Sequence, residues 1–113
     1  MTKIKRYCGN YILEINNGII KEYCGKNLYQ IDSNRIKRYC GNNLYEIKGD
    51  IIKEYCGSNL LEVRGNTIKR YCGSNIAEVR GNIIKEYCGS NLYEIEGFLS
   101  HQELMALIAI LFA

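Results

Sequence analysis

Residues 52–68 read Ile52-Lys-Glu-Tyr-Cys-Gly-Ser-Asn-Leu-Leu-Glu-Val-Arg-Gly-Asn-Thr-Ile68. Two four-residue blocks rich in Ile, Leu, Val and Tyr alternate here with two polar blocks that carry the glycines and asparagines. Those last residues tolerate positive φ in tight turns. The stretch therefore reads as strand, turn, strand, turn. The same unit recurs along most of the chain: Cys8, Cys24, Cys40, Cys56, Cys72 and Cys88 stand 16 residues apart, each inside Tyr-Cys-Gly. Six tandem β units over residues 1–97 are predicted, followed by a C-terminal helix over 98–113 that caps or fills the core of the same domain.

Antiparallel pairing tests the strand assignment. Across Arg64–Thr67, Val63 meets Ile68, Glu62 meets Lys69 and Leu60 meets Tyr71. Across Cys56–Asn59 the symmetric register would set Tyr55 against Leu60, Lys53 against Glu62 and Ile52 against Val63. Such pairs are worth ~0.2–1 kcal/mol each. The fold class expected is mainly β, an antiparallel hairpin meander whose wide sheet curls or closes. Its inner face is the Ile/Val row with Tyr29, Tyr45, Leu61, Ala77 and Tyr93 beside it.

A β-solenoid with 16-residue coils is the alternative. Either face of its first strand would bury a charge in every coil, at a cost that only paired charges offset. In its favour, the third strand residue runs Arg6, Glu22, Arg38, Glu54, Arg70, Glu86, which would stack as opposite charges. A duplicated 32-residue ancestor accounts for the same alternation. Ile19, Ile51 and Ile83 precede the conserved Ile in even units, and Lys3, Arg35 and Thr67 precede it in odd ones.

After Gly97 the periodicity changes. Ser100 and Glu103 form a capping-box signature, and Leu104–Ala113 contains no polar residue. A helix apolar on all sides is buried or lies in lipid, and this one falls short of the ~20 residues of a membrane span. Burial against the sheet is expected.

The repeat Ile-Lys-x-Tyr-x-Gly…Leu-Tyr-x-Ile-x-Gly, closed by Ser-x-x-Glu-Leu and a short apolar helix, resembles that of small bacterial tandem-repeat proteins of uncharacterised function. The resemblance covers the whole chain and implies no activity. The Tyr-rich hairpins are also similar to choline-binding and other wall-binding repeats, whose recognition depends on Trp; this chain has none.

Functional candidates are few. The cysteines lack the close pairs from which structural zinc sites start. Successive thiols in a meander are one intervening strand apart, ~9–10 Å, too far for a disulfide. The expected role is a small, semi-buried residue at a turn entrance. His101 is the only histidine, and no acid–base pair or nucleophile setting can be named. A non-enzymatic chain without cofactor or metal is therefore expected.

The repeated rows Tyr7, Tyr23, Tyr39, Tyr55, Tyr71, Tyr87 and Lys5, Lys21, Lys37, Lys53, Lys69, Lys85 are the candidate binding residues. Aromatic and basic rows can stack on sugars and hold anionic groups; alternatively, Tyr pairs with Leu and Lys with Glu across strands. The first expectation is a structural or protein-interaction module, with a protein partner or self-association. The second is a carbohydrate- or polymer-binding module. A net charge of +3, spread without blocks, argues against nucleic acid. The basic start lacks an apolar h-region, so a cytoplasmic location is expected.

Overall fold

Every repeat forms the two strands that its pattern requires. The computed structural model, which describes residues 2–113, contains β1 (Thr2–Arg6), β2 (Tyr11–Asn16), β3 (Ile19–Glu22), β4 (Asn27–Asp32), β5 (Arg35–Arg38) and β6 (Asn43–Lys48). These are followed by β7 (Ile51–Glu54), β8 (Asn59–Arg64), β9 (Thr67–Arg70), β10 (Asn75–Arg80), β11 (Ile83–Glu86), β12 (Asn91–Glu96) and one helix, α1 (His101–Phe112). Consecutive strands pair antiparallel, and β1 pairs with β12, so the meander closes into a twelve-stranded barrel. The stacked-coil alternative is not adopted.

The strand ends follow from local chemistry. Asn17-Gly18 has positive φ at both central residues, the type I′ pattern, whereas Gly65 and its equivalents have it only at the first central position, as in type II′. Both turns match the right-handed strand twist, and the register across them is the expected one: Val63 faces Ile68 and Glu62 faces Lys69. The Cys turns depart from the symmetric pairing. Ile52 faces Leu61, not Val63, and Lys53 faces Asn59, not Glu62, with a bulge between the two pairs. An extra residue in the longer strand offsets each Cys hairpin, and such bulges bend the sheet.

This offset sets the barrel's size. Ile4 faces Leu13, and Leu13 faces Glu22, two residues beyond Ile20, the counterpart of Ile4 one repeat later. The stagger is thus about one residue per strand, which tilts the strands by roughly 35° and places the backbone at a radius of about 11 Å. Eight-stranded barrels can be filled by side chains alone; this one is wider. Once the wall's side chains are in place, the space left matches one helix, ~10–12 Å across.

α1 occupies that space. Met105, Ala106, Leu107, Ile108 and Ala109 are all buried. Successive helical residues point about 100° apart, so five in a row cover every side, and only a helix surrounded by wall achieves this. They form one core with Ile4, Ile20, Ile36, Ile52, Ile68 and Ile84, each wholly buried. Leu13, Leu61 and Ala77 are buried and Tyr29, Tyr45 and Tyr93 half-buried on the same face, as expected for the inside. That row varies in size because the wall repeats and the helix does not, and interior density must be matched on every side.

The helix starts where the sequence marks it. Glu103 N–H donates to Ser100 Oγ at 3.2 Å and Ser100 N–H to Glu103 Oε1 at 3.0 Å, a complete capping box. Gln102 Nε2 donates to the Ser33 carbonyl at 3.1 Å, which places the helix N-terminus at the barrel end formed by the two-residue loops. Twelve helical residues span ~18 Å, comparable with the 17 Å shortest dimension of the molecule. The C-terminal end of the helix, with half-buried Phe112, is therefore directed towards the opposite end, that of the Cys turns.

Candidate interaction surface

The candidate rows lie on the outer wall. Lys and Tyr alternate with the buried Ile and point away from the lumen. The tyrosines are 37–44% exposed, from Tyr23 to Tyr7. Each reaches to the neighbouring unit, as where Tyr71 N–H donates to the Leu60 carbonyl at 3.0 Å and, across the seam, Tyr7 N–H to that of Leu92 at 2.9 Å. The pairing of Tyr71 with Leu60 is the expected one; that of Tyr55 with Leu60 across the Cys turn is not formed. A belt of Tyr beside Leu or Ile thus circles the barrel next to the Cys turns.

The lysines are half-buried and mostly engaged. Lys5 pairs with Glu94, Lys21 with Glu14, Lys53 with Glu46, Lys69 with Glu62 and Lys85 with Glu78, at 3.5–3.9 Å. Lys37 faces Gln30. The five carboxylates belong to the strand joined through a two-residue loop or, for Glu94, through the seam between β1 and β12. Such surface pairs contribute at most about 1 kcal/mol each, and they leave these cations partly neutralised.

The Cys turns overturn one expectation. The cysteines are exposed, not semi-buried, and each has φ of 54–56°. Gly9 N–H donates to the Arg6 carbonyl at 2.8 Å, closing a turn with Cys8 in the third position. Type II turns need positive φ there and normally use Gly or Asn. A β-carbon in this region costs roughly 1–2 kcal/mol, and the chain accepts it in every repeat. The glycine that follows serves another purpose: a Cβ at Gly57 would lie 3.0 Å from Glu54 Cβ, so the tight return of the backbone crowds any side chain placed there.

No thiol is bonded to another. All six are expected to react with a thiol reagent when the unfolded, non-reduced protein is titrated; two or fewer would contradict the meander's spacing. Among the described residues, no group of three His, Cys, Asp or Glu side chains converges as metal ligands. His101 is exposed and lines a shallow depression with Gln102, Asn34 and Asp50.

Tyr11, which the repeat pattern did not single out, joins the candidate surface. It stands where the other units have Asn, and that departure is the signal by which sequence reading could have found it. Its ring stacks on Tyr23 at 4.9 Å, with Lys3 Nζ 5.4 Å and Lys5 Nζ 5.6 Å from its centre. Its hydroxyl donates to Glu96 Oε2 at 2.6 Å, across the seam between the first and last strands. That hydrogen bond, with the nearby negative charge, raises the tyrosine's pKa above its ordinary value.

No protein-family model, curated protein or solved structure matches this chain. Among the described residues, no helix is long and apolar enough to cross a membrane. The strands, of four to six residues, are shorter than the ~9–11 residues with which barrel strands cross one.

Proposed function

We propose that this protein is a non-enzymatic structural or protein-interaction module. The observation that carries this reading is the filled lumen. The helix occupies the space in which a barrel of this width would hold a ligand, so the fold presents its outer surface and its two ends. On that surface one half-exposed tyrosine recurs in each repeat, a pattern suited to an extended contact. Six near-identical units supply the same residues six times, whereas a catalytic centre needs different groups in different roles.

A second reading, a carbohydrate- or polymer-binding module, draws on those same exposed tyrosines. The ion pairs of the lysine row weigh against it, because cations already held by Glu are less available to an anionic polymer. Replacing Tyr39, Tyr55 and Tyr71 together by Ser separates the two readings. Under the first, the triple variant loses about 1 kcal/mol or more of stability through its Tyr–Leu contacts, and neither it nor the parent binds a glycan array. Under the second, affinity for a polymer grows with the number of repeats engaged. A triple variant that melts like the parent and has lost the parent's glycan binding would overturn the first.

A further inference from the structure

The two ends of the barrel are unlike. One carries loops of differing sequence, both chain termini of the sheet and the entry to the helix. The other is formed by six copies of one turn whose cysteine φ values agree within two degrees, so one local conformation recurs around it. At this second end the last residue of each shorter strand is Arg6, Glu22, Arg38, Glu54, Arg70 and Glu86 in turn. In strand alternation these residues belong to the lumen side, yet all six are exposed because the wall ends there. The meander places them around the mouth in chain order, and barrel closure makes Arg6 the neighbour of Glu86's unit. Charges of alternating sign therefore encircle the mouth. Among the described residues none of them joins an ion pair within 4 Å; Glu86 Oε1 only accepts a hydrogen bond from its own turn, Ser90 N–H at 3.4 Å. Lys26, in one turn, is the one further charged side chain among the turn residues.

We infer that this Cys-turn rim is an interface between two copies of the chain, joined face to face about a twofold axis. The inference rests on the interaction-module reading and names the partner. Its main support is charge geometry. A face-to-face twofold reverses the circular order of the ring, and an alternating ring read backwards still alternates. With the axis passing between an Arg and a Glu, every Arg of one copy stands over a Glu of the other. With the axis through a charged position, like would face like everywhere. The rim is therefore self-complementary in one set of registers and self-repelling in the other, which is how interfacial charge specifies orientation.

Shape and composition agree. Twofold interfaces are built from one self-complementary patch, and a stable one has an apolar centre inside a polar rim. Here a helix running through the lumen brings its half-buried C-terminal residues, Leu111 and Phe112, towards this end, inside the charged ring. A face within the 37 × 34 Å cross-section offers roughly 700–900 Å² per copy, against about 800 Å² per partner in a standard interface. The apposed rims bring the exposed thiols of the two copies opposite one another, in turns whose strained cysteine conformation recurs in every repeat.

The test is a charge swap followed by sedimentation velocity. The parent chain should dimerise. R6E/R38E/R70E has an all-acidic ring and E22R/E54R/E86R an all-basic one, so each alone should be monomeric, at least a hundredfold weaker in self-association. Mixed in equal amounts they should restore a dimer containing one of each. A parent that stays monomeric up to about 1 mM, the weakest self-association still worth roughly 4 kcal/mol, overturns the inference. It leaves the module reading to stand or fall on the tyrosine triple variant. A dimer that persists in both variants overturns it too, by placing the interface elsewhere. If either reversed chain fails to melt cooperatively, R6Q/R38Q/R70Q replaces it. That chain should associate at least tenfold more weakly than the parent, and unchanged association counts against the rim.

Discussion

Leu107→Asp is expected to abolish the native fold and not merely to lower its melting midpoint. Leu107 is wholly buried at the middle of α1, and the helix is enclosed by the wall on all sides. Truncation to Ala would cost about 2–5 kcal/mol through lost burial and the cavity left behind. A carboxylate there adds a desolvation penalty of several kcal/mol per unpaired ion. The core offers no cation to pair with it: its residues are Ile, Leu, Val, Ala, Met and half-buried Tyr, and the wall's cations point outwards to their own glutamates. The sum approaches the ~5–15 kcal/mol by which a whole domain is stable. Circular dichroism should show loss of the cooperative transition, and size exclusion should show an expanded or aggregated chain. Leu107→Met, which conserves volume, should cost less than about 1.5 kcal/mol and serves as the control. An aspartate variant that remains monomeric with an unchanged midpoint would mean that the helix does not fill the barrel.

Deleting one whole repeat, residues 49–64, should be nearly as damaging, although it leaves the other units and both turn types intact. The cut joins Lys48 to Gly65 and regenerates a two-residue loop of the kind it removes. In an open repeat array, such a deletion costs only one unit and its neighbour contacts. In a closed barrel it changes the radius. With the same stagger per strand, ten strands close at about 9.2 Å where twelve close at about 11 Å. The wall would then press some 2 Å into the helix from every direction. Cores resist even single added methylenes at a cost of about 1–3 kcal/mol, and here the misfit surrounds the helix. Inserting a repeat errs the other way, leaving a gap of similar width that forfeits much of the contact with the wall. Thermal melting of the deletion and insertion variants beside the parent is the measurement. A deletion variant that melts cooperatively as a monomer within a few degrees of the parent would show that the helix does not set the number of repeats.

Much of this architecture was legible in the residues because its causes are local. The alternation of Ile with Lys decides which side of each strand is buried. The Gly and Asn of the two-residue loops fix a hairpin register, and Ser100 with Glu103 marks the helix start. What misled was the Cys turn, where counting back symmetrically from Cys56-Gly57-Ser58-Asn59 put Tyr55 against Leu60. The bulge that breaks the symmetry has no residue signature of its own. It also leaves the cysteine at a positive φ that composition would assign to glycine, while glycine answers to crowding by the residue three positions earlier. Part of the candidate surface was hidden for a related reason. Tyr11 meets Glu96 only because β1 pairs with β12, and the alternating Arg and Glu become a ring only when the sheet closes.

By itself, then, the 16-residue period determined the strands, their inward face, one of the two registers and the presence of a buried helix. Each of these depends on interactions between neighbours in the chain or across one turn. Tertiary structure alone decided that the sheet closes, that it closes at twelve strands, and that the helix runs through the middle. Closure depends on tilt and stagger summed over the whole sheet, and a repeating sequence states the increment without stating where the sum must stop. The diameter of one apolar helix supplies that limit.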